Sequence, residues 1–163
     1  MKHTISILVE NHAGVLARVA GLFARRGFNI DSLAVGITED EKISRITIIA
    51  DGTAYTLEQI EKQLNKLIDV IKVRHLPAEE LLSRELVLIK VACLPSQRAE
   101  LISLAEIAKA KISDITVNTM TLELSDSVPR IKTFEELLRP YGIKETVRTG
   151  SIACLLYTSD AAD

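Results

Sequence analysis

The chain has 163 residues, 47% of them hydrophobic and 26% charged, with a net charge of −2; that is room for one ordinary domain or two small ones around a buried core. A near-neutral chain with 4% aromatics and no Trp has neither a global basic field for nucleic acid nor an aromatic platform for stacking bases. No apolar run approaches the roughly 20 residues of a membrane span, the N-terminus lacks the pattern of a signal peptide, and Cys93 and Cys154 have neither metal nor disulfide-framework spacing, so a cytoplasmic protein is expected.

Residues 3–9, HTISILV, alternate β-branched residues in a strand pattern. From Gly14 to Arg26 the apolar positions Val15, Leu16, Val19, Leu22 and Phe23 fall at helical spacing on one face. Arg18, Arg25 and Arg26 lie largely off that face, and Gly27 stands where a helix C-cap is expected. Residues 29–37 and 43–50 read as two strands joined by the polar turn TEDEK. A second helix is expected over 57–68, with Leu57, Ile60, Leu64, Leu67 and Ile68 buried. A strand follows over 70–76, alternating Ile71 and Val73 against Lys72 and Arg74. The order β-α-β-β-α-β is that of a ferredoxin-like domain.

Residues 77–83, PAEELLS, read as a linker, and the same order then recurs over 84–153. A strand over 84–93 puts Val87, Ile89, Val91 and Cys93 on one face. The helix over 101–108 is expected to take Ser96 as its N-cap. Strands over 112–117 and 119–124 precede a helix with Pro129 at its start and Ile131, Phe134, Leu137 and Leu138 on its apolar side. Residues 143–152 form the expected last strand. The fold class is therefore α+β, two tandem ferredoxin-like βαββαβ domains over 1–76 and 84–153. Small units of this kind bury an open sheet face by pairing. The last ten residues, CLLYTSDAAD, leave the pattern and match a sequencing-library transposon end translated in frame. Residues 154–163 are expected to be a non-native tail in which Cys154 and Tyr157 carry no evolved role.

Catalysis needs a nucleophile with its base, a carboxylate pair in a cleft, or a metal cage. His3 and His75 sit at strand ends, His12 has no evident Cys, Ser or Asp partner nearby, and most acidic residues fall on helices and turns. No catalytic residue and no metal site is expected. Gly14, Gly21 and Gly27 lack dinucleotide-binding spacing, no Gly-Lys-Ser/Thr occurs, and Glu10 beside the loop opposes phosphate. A small zwitterion fits better. The helix N-terminus at residues 13–16 presents unpaired amides to a carboxylate. Asn11 can donate or accept, Gly14 gives access to the backbone, and Val15, Leu16 and Ile30 offer an apolar wall. The plainer alternative is that Asn11 is a cap or turn residue and Gly14 only relieves a tight turn.

The stretch "LVENHAGVLARVAGLFARRGFNIDSLAVG" closely resembles the opening of the regulatory (small) subunits of acetohydroxyacid synthase, also called acetolactate synthase, and the resemblance continues through "SRITIIADG", "LEQIEKQLNKLIDVIKV", "RELVLIKV" and "VRTGSIA". It implies that the first domain is an ACT domain, an amino-acid-sensing module. It further implies a subunit with no synthase activity of its own, which activates a catalytic subunit and confers feedback inhibition by valine. By that resemblance Asn11, Gly14, Val15 and Leu16 form the loop side of an effector site, and Asn29 and Ile30 face it from the other subunit of a homodimer. His12 and Ala13 are given no side-chain role. No cofactor is expected in this chain, whereas the catalytic partner is expected to use thiamine diphosphate, Mg and FAD. No nucleic acid or membrane partner is expected. Two other readings stand beside this one: a free-standing double-ACT sensor controlling transcription or another enzyme, and a small ferredoxin-fold enzyme.

Overall fold

A computed structural model of the chain describes residues 1–156; the expected non-native tail lies outside the described residues from Tyr157 on. The chain divides into two compact units, Met1–Leu82 together with the segment from Ser151, and Ser83–Gly150.

The first unit runs β1 (Lys2–Glu10), α1 (Val15–Arg25), β2 (Ile30–Ile37), β3 (Ile43–Asp51), α2 (Ala54–Leu64), β4 (Val70–Leu76). Its sheet has the order β2-β3-β1-β4, antiparallel throughout, with Ile7 opposite Ile46 on one side and Val73 on the other. Alternation sends Ile5, Ile7, Val9, Ile46, Ile48 and Ala50 to one face. There they meet Val15, Val19, Leu22 and Phe23 of α1 and Leu57, Ile60 and Leu64 of α2.

Helix α1 ends in a Schellman motif. Gly27, at φ +72, donates its amide to Ala24 O, and Phe28 donates to Phe23 O at 3.0 Å. The rings of Phe23 and Phe28 then meet edge to face at 6.5 Å between centroids. Helix α2 begins three residues before the expected Leu57, because Thr53 caps it. The Thr53 hydroxyl accepts from the Thr56 amide at 3.2 Å, and the Thr56 hydroxyl from the Thr53 amide at 2.9 Å. The helix also stops at Leu64. Successive turns, with Leu67 N on Leu64 O and Val70 N on Leu67 O, bring Leu67 against the core and leave Ile68, expected inside, 93% exposed. The expected alternation of β4 fails at Ile71. A shift of register opposite Leu8 and Val9 makes Ile71 an extra residue, so Val70 and Val73 pack on the core and Ile71 faces out.

A 3-10 turn at Ala78–Glu80 follows, and β5 (Leu81–Ala92) already begins inside the stretch expected as linker. The second unit continues α3 (Arg98–Ala108), β6 (Lys111–Ile115), β7 (Thr119–Asp126), α4 (Val128–Leu138), β8 (Ile143–Arg148), with the strand order β6-β7-β5-β8. Val87, Ile89, Val91 and Cys93 are buried with Leu101, Met120, Leu122, Ile131, Phe134 and Leu138. Leu137 is half-exposed instead of buried. Ser96 does not cap α3. It lies in a 3-10 turn, Pro95–Gln97, and the Gln97 side chain accepts from the Leu94 amide at 3.1 Å. The expected strand over 143–152 is broken at Gly150, at φ +88, and β9 (Ile152–Leu155) follows within the first unit. There the Ser151 amide donates to Ser32 Oγ at 2.7 Å and the Leu156 amide to Glu80 O at 2.8 Å. Both units are thus α+β and ferredoxin-like. Among the described residues no helix is long and apolar enough to cross a membrane.

Candidate effector site

The loop from Glu10 to Gly14 leaves the central strand β1 and enters α1, and both its flanks are tied down. The Glu10 amide donates to Asp69 O at 2.9 Å, on the turn between α2 and β4. On the other flank the Asn11 amide donates to Lys42 O at 2.8 Å and Asn11 Nδ2 to Glu41 O at 2.9 Å, in the β2–β3 turn. The Asn11 side chain therefore fixes the loop through its amide hydrogens, while its acceptor oxygen is not used in that bond.

Gly14 is the N-cap of α1 and takes φ +89, ψ −14, a left-handed conformation that glycine adopts without a Cβ penalty. A Cβ there would lie 3.3 Å from Nη1 of Arg18, so a side chain at this position also requires the end of Arg18 to give by a few tenths of an ångström. Where α2 is closed by its capping box, α1 has no side-chain cap and no acidic residue in its first turn. The amides opening α1 lack intrahelical partners by construction and carry the positive end of the helix dipole. They suit a carboxylate.

The remaining expected site residues divide in two. Val15 is 2% exposed and packs in the core, so it presents only its backbone to the loop; Leu16 beside it is 41% exposed. Asn29 and Ile30 lie beyond the far end of α1. Asn29 Nδ2 donates to Asp31 Oδ1 at 2.9 Å, and Ile30 packs partly against the core. An 11-residue helix spans about 16 Å, so Asn29 and Ile30 do not share a pocket with Gly14 of the same chain.

Sequence reasoning missed the charge cluster under the loop. Asp69, its side chain 8% exposed, accepts from Arg18 Nε at 2.9 Å and also pairs with Arg18 Nη2. Its other oxygen lies 3.0 Å from His12 Nε2. Glu10 Oε2 is 3.2 Å from the same His12 nitrogen, and His12 Nδ1 is 3.4 Å from the Ala13 carbonyl. These contacts raise the His12 pKa, chiefly the Glu10 hydrogen bond and then the Ala13 carbonyl; desolvation opposes them, and the negative fields of Asp69 and Glu10 add to the rise. Arg18, expected on a solvated helix face, is half-committed to this cluster. The only signal in the sequence was an Asp in a turn 57 residues from His12, and no local pattern links the two.

Two family models match the chain: the ACT domain of acetohydroxyacid synthase small subunits over residues 5–72, and the small subunit of acetolactate synthase over residues 84–155. The chain is 50% identical to the protein named probable acetolactate synthase small subunit in Archaeoglobus fulgidus, over 94% of this chain and 96% of that one. It is 45% identical to the acetolactate synthase small subunit of Mycobacterium leprae, over 93% and 89%. The crystal structure of the Thermotoga maritima acetolactate synthase small subunit superposes with a TM-score of 0.90 at 38% identity, covering 97% of this chain and 99% of that one. The chain belongs to the small-subunit family of acetolactate synthase, the regulatory and non-catalytic subunits of that enzyme.

Proposed function

We propose that this chain binds the catalytic subunit of acetolactate synthase, raises its activity, and makes it sensitive to valine as a feedback effector of branched-chain amino acid biosynthesis. The observation that carries the effector half of this reading is the uncapped N-terminus of α1. Its amides are open, Gly14 is left-handed, and the Asn11 backbone and side chain hold the loop in place. A free amino acid presents its carboxylate to those amides, its ammonium group to the Asn11 oxygen, and its small apolar side chain to Leu16.

The loop is one half of the site. Asn29 and Ile30, displaced along α1 by about the length of that helix, supply the other half from a second copy of the chain in a homodimer. An effector held between two copies favours the dimer arrangement in which both halves meet, and it shifts the equilibrium only by its differential affinity for the two arrangements. The reaction chemistry, with thiamine diphosphate, Mg and FAD, belongs to the catalytic partner.

The test is reconstitution. Adding the chain to its cognate catalytic subunit should raise acetolactate formation, and valine should lower it again. Stimulation without any response to valine, leucine or isoleucine would instead favour a subunit whose ACT domain is structural.

A further inference from the structure

The cluster beneath the loop has a composition that hydrogen bonding alone does not require. Both ring nitrogens of His12 face acceptors: Nε2 lies 3.0 Å from Asp69 and 3.2 Å from Glu10, and Nδ1 lies 3.4 Å from the Ala13 carbonyl. A neutral imidazole has one N–H and one lone pair, so in that state one nitrogen meets an oxygen lone pair to lone pair. Only the imidazolium satisfies all three contacts. Asp69 sits at the centre. Its carboxylate holds Arg18 from α1 and His12 from the loop, and its carbonyl holds the Glu10 amide at the end of β1. One buried residue from the turn before β4 thereby grips the start and the middle of the loop and the first turn of the helix that it opens.

We propose that Asp69 is the positioning residue of the effector loop, acting through His12, and that effector affinity is therefore linked to a proton. The inference rests on the effector-site reading above and deepens it. The charged groups that contact the His12 ring are Glu10 and Asp69, with Arg18 reaching it through Asp69; the β2–β3 turn meets the loop through the Glu41 and Lys42 carbonyls. With His12 protonated a second cation stands with Arg18 against the two carboxylates. With His12 neutral the cluster is one unit more negative beside the amides that receive the effector carboxylate. Affinity is highest with His12 protonated and falls as pH rises through its titration. Because Glu10 and His12 are about half exposed, solvent screening holds the effect to about two- to five-fold.

The experiment has two arms on the full chain. NMR titration of the His12 ring without effector should show it deprotonating above its ordinary range, and Asp69→Asn should bring that titration down. Calorimetry with valine at pH 6 and pH 8.5 should show binding weakening about two- to five-fold in the unaltered chain and staying flat with pH in His12→Gln. His12→Gln substitutes an exposed side chain and keeps a donor, so it serves if Asp69→Asn fails to fold; Asp69→Glu should partly restore the pH response. A His12→Gln protein that keeps the pH dependence, or an Asp69→Asn protein in which His12 titrates unchanged, overturns the inference while the effector site stands. An unaltered chain that binds valine at neither pH overturns the effector-site reading and the proton linkage with it.

Discussion

Gly14→Asp separates the loop's role in binding from its role in folding. A non-glycine residue at φ +89 costs about 1–2 kcal/mol, at the lower end for Asp, which tolerates the left-handed region better than most residues. Its Cβ would lie 3.3 Å from the Arg18 Nη1, a flexible side-chain end that can shift by a few tenths of an ångström. A carboxylate at the N-terminus of α1 returns about 0.3–1 kcal/mol through the helix dipole. The net loss of stability is below about 1 kcal/mol, against the roughly 5–15 kcal/mol that keeps a domain folded. For the effector the sign is different. A second carboxylate about 5 Å from that of valine, at an effective dielectric of about 20–30, opposes binding by roughly 2–3 kcal/mol, or about 30- to 150-fold in affinity. Thermal unfolding and calorimetry on the same sample give the two numbers. A folded Gly14→Asp protein that binds valine with unchanged affinity would refute the placement of the effector carboxylate at these amides.

Other substitutions test the ion pair behind the loop, the cap of α2 and the core of the second unit. Arg18→Met removes the guanidinium from the buried Asp69 carboxylate and leaves it His12 alone, and chemical denaturation should show a loss of about 2 kcal/mol, reduced from the fully buried case because Arg18 is half exposed. Thr53→Ala opens the capping box of α2 and should cost about 1 kcal/mol in the same assay. Phe134→Ala should cost about 3–5 kcal/mol, since it empties the core of the second unit. The His12 contribution to stability has a defined sign: a pKa raised in the folded chain stabilises fully below the unfolded value of about 6.5 and is lost as pH rises through the folded value. The unfolding midpoint should therefore fall slightly above neutral pH in the unaltered chain and more weakly in His12→Gln.

Much of the fold was legible because hydrophobic period reports it directly. The alternation of Val87, Ile89 and Val91, and the helical spacing of Val15, Val19, Leu22 and Phe23, each match a buried face. The departures arise where hydrogen bonding overrides periodicity. Ile68 keeps helical spacing but lies beyond the last turn of α2, and Ile71 keeps strand spacing but sits in a bulge. Ser96 is a good capping residue placed in a turn that Pro95 and Gln97 shape instead. For the loop, the chain supplied Asn11 and Gly14 in plain view, whereas Asp69 is identifiable only after the sheet has brought the β1 and β4 ends together. Local sequence displays the residues of the loop itself. The groups that hold the loop in place, Asp69 and the β2–β3 turn, come from distant segments.

The central claim is that this chain regulates and does not itself catalyse, and reconstitution tests it most directly. Acetolactate formation by the cognate catalytic subunit should be measured alone, with this chain, and with this chain plus valine. The account predicts no activity from the chain by itself, a rise on mixing, and a fall with valine that Gly14→Asp abolishes. An unchanged rate on mixing, or equal valine inhibition with and without the chain, would contradict it.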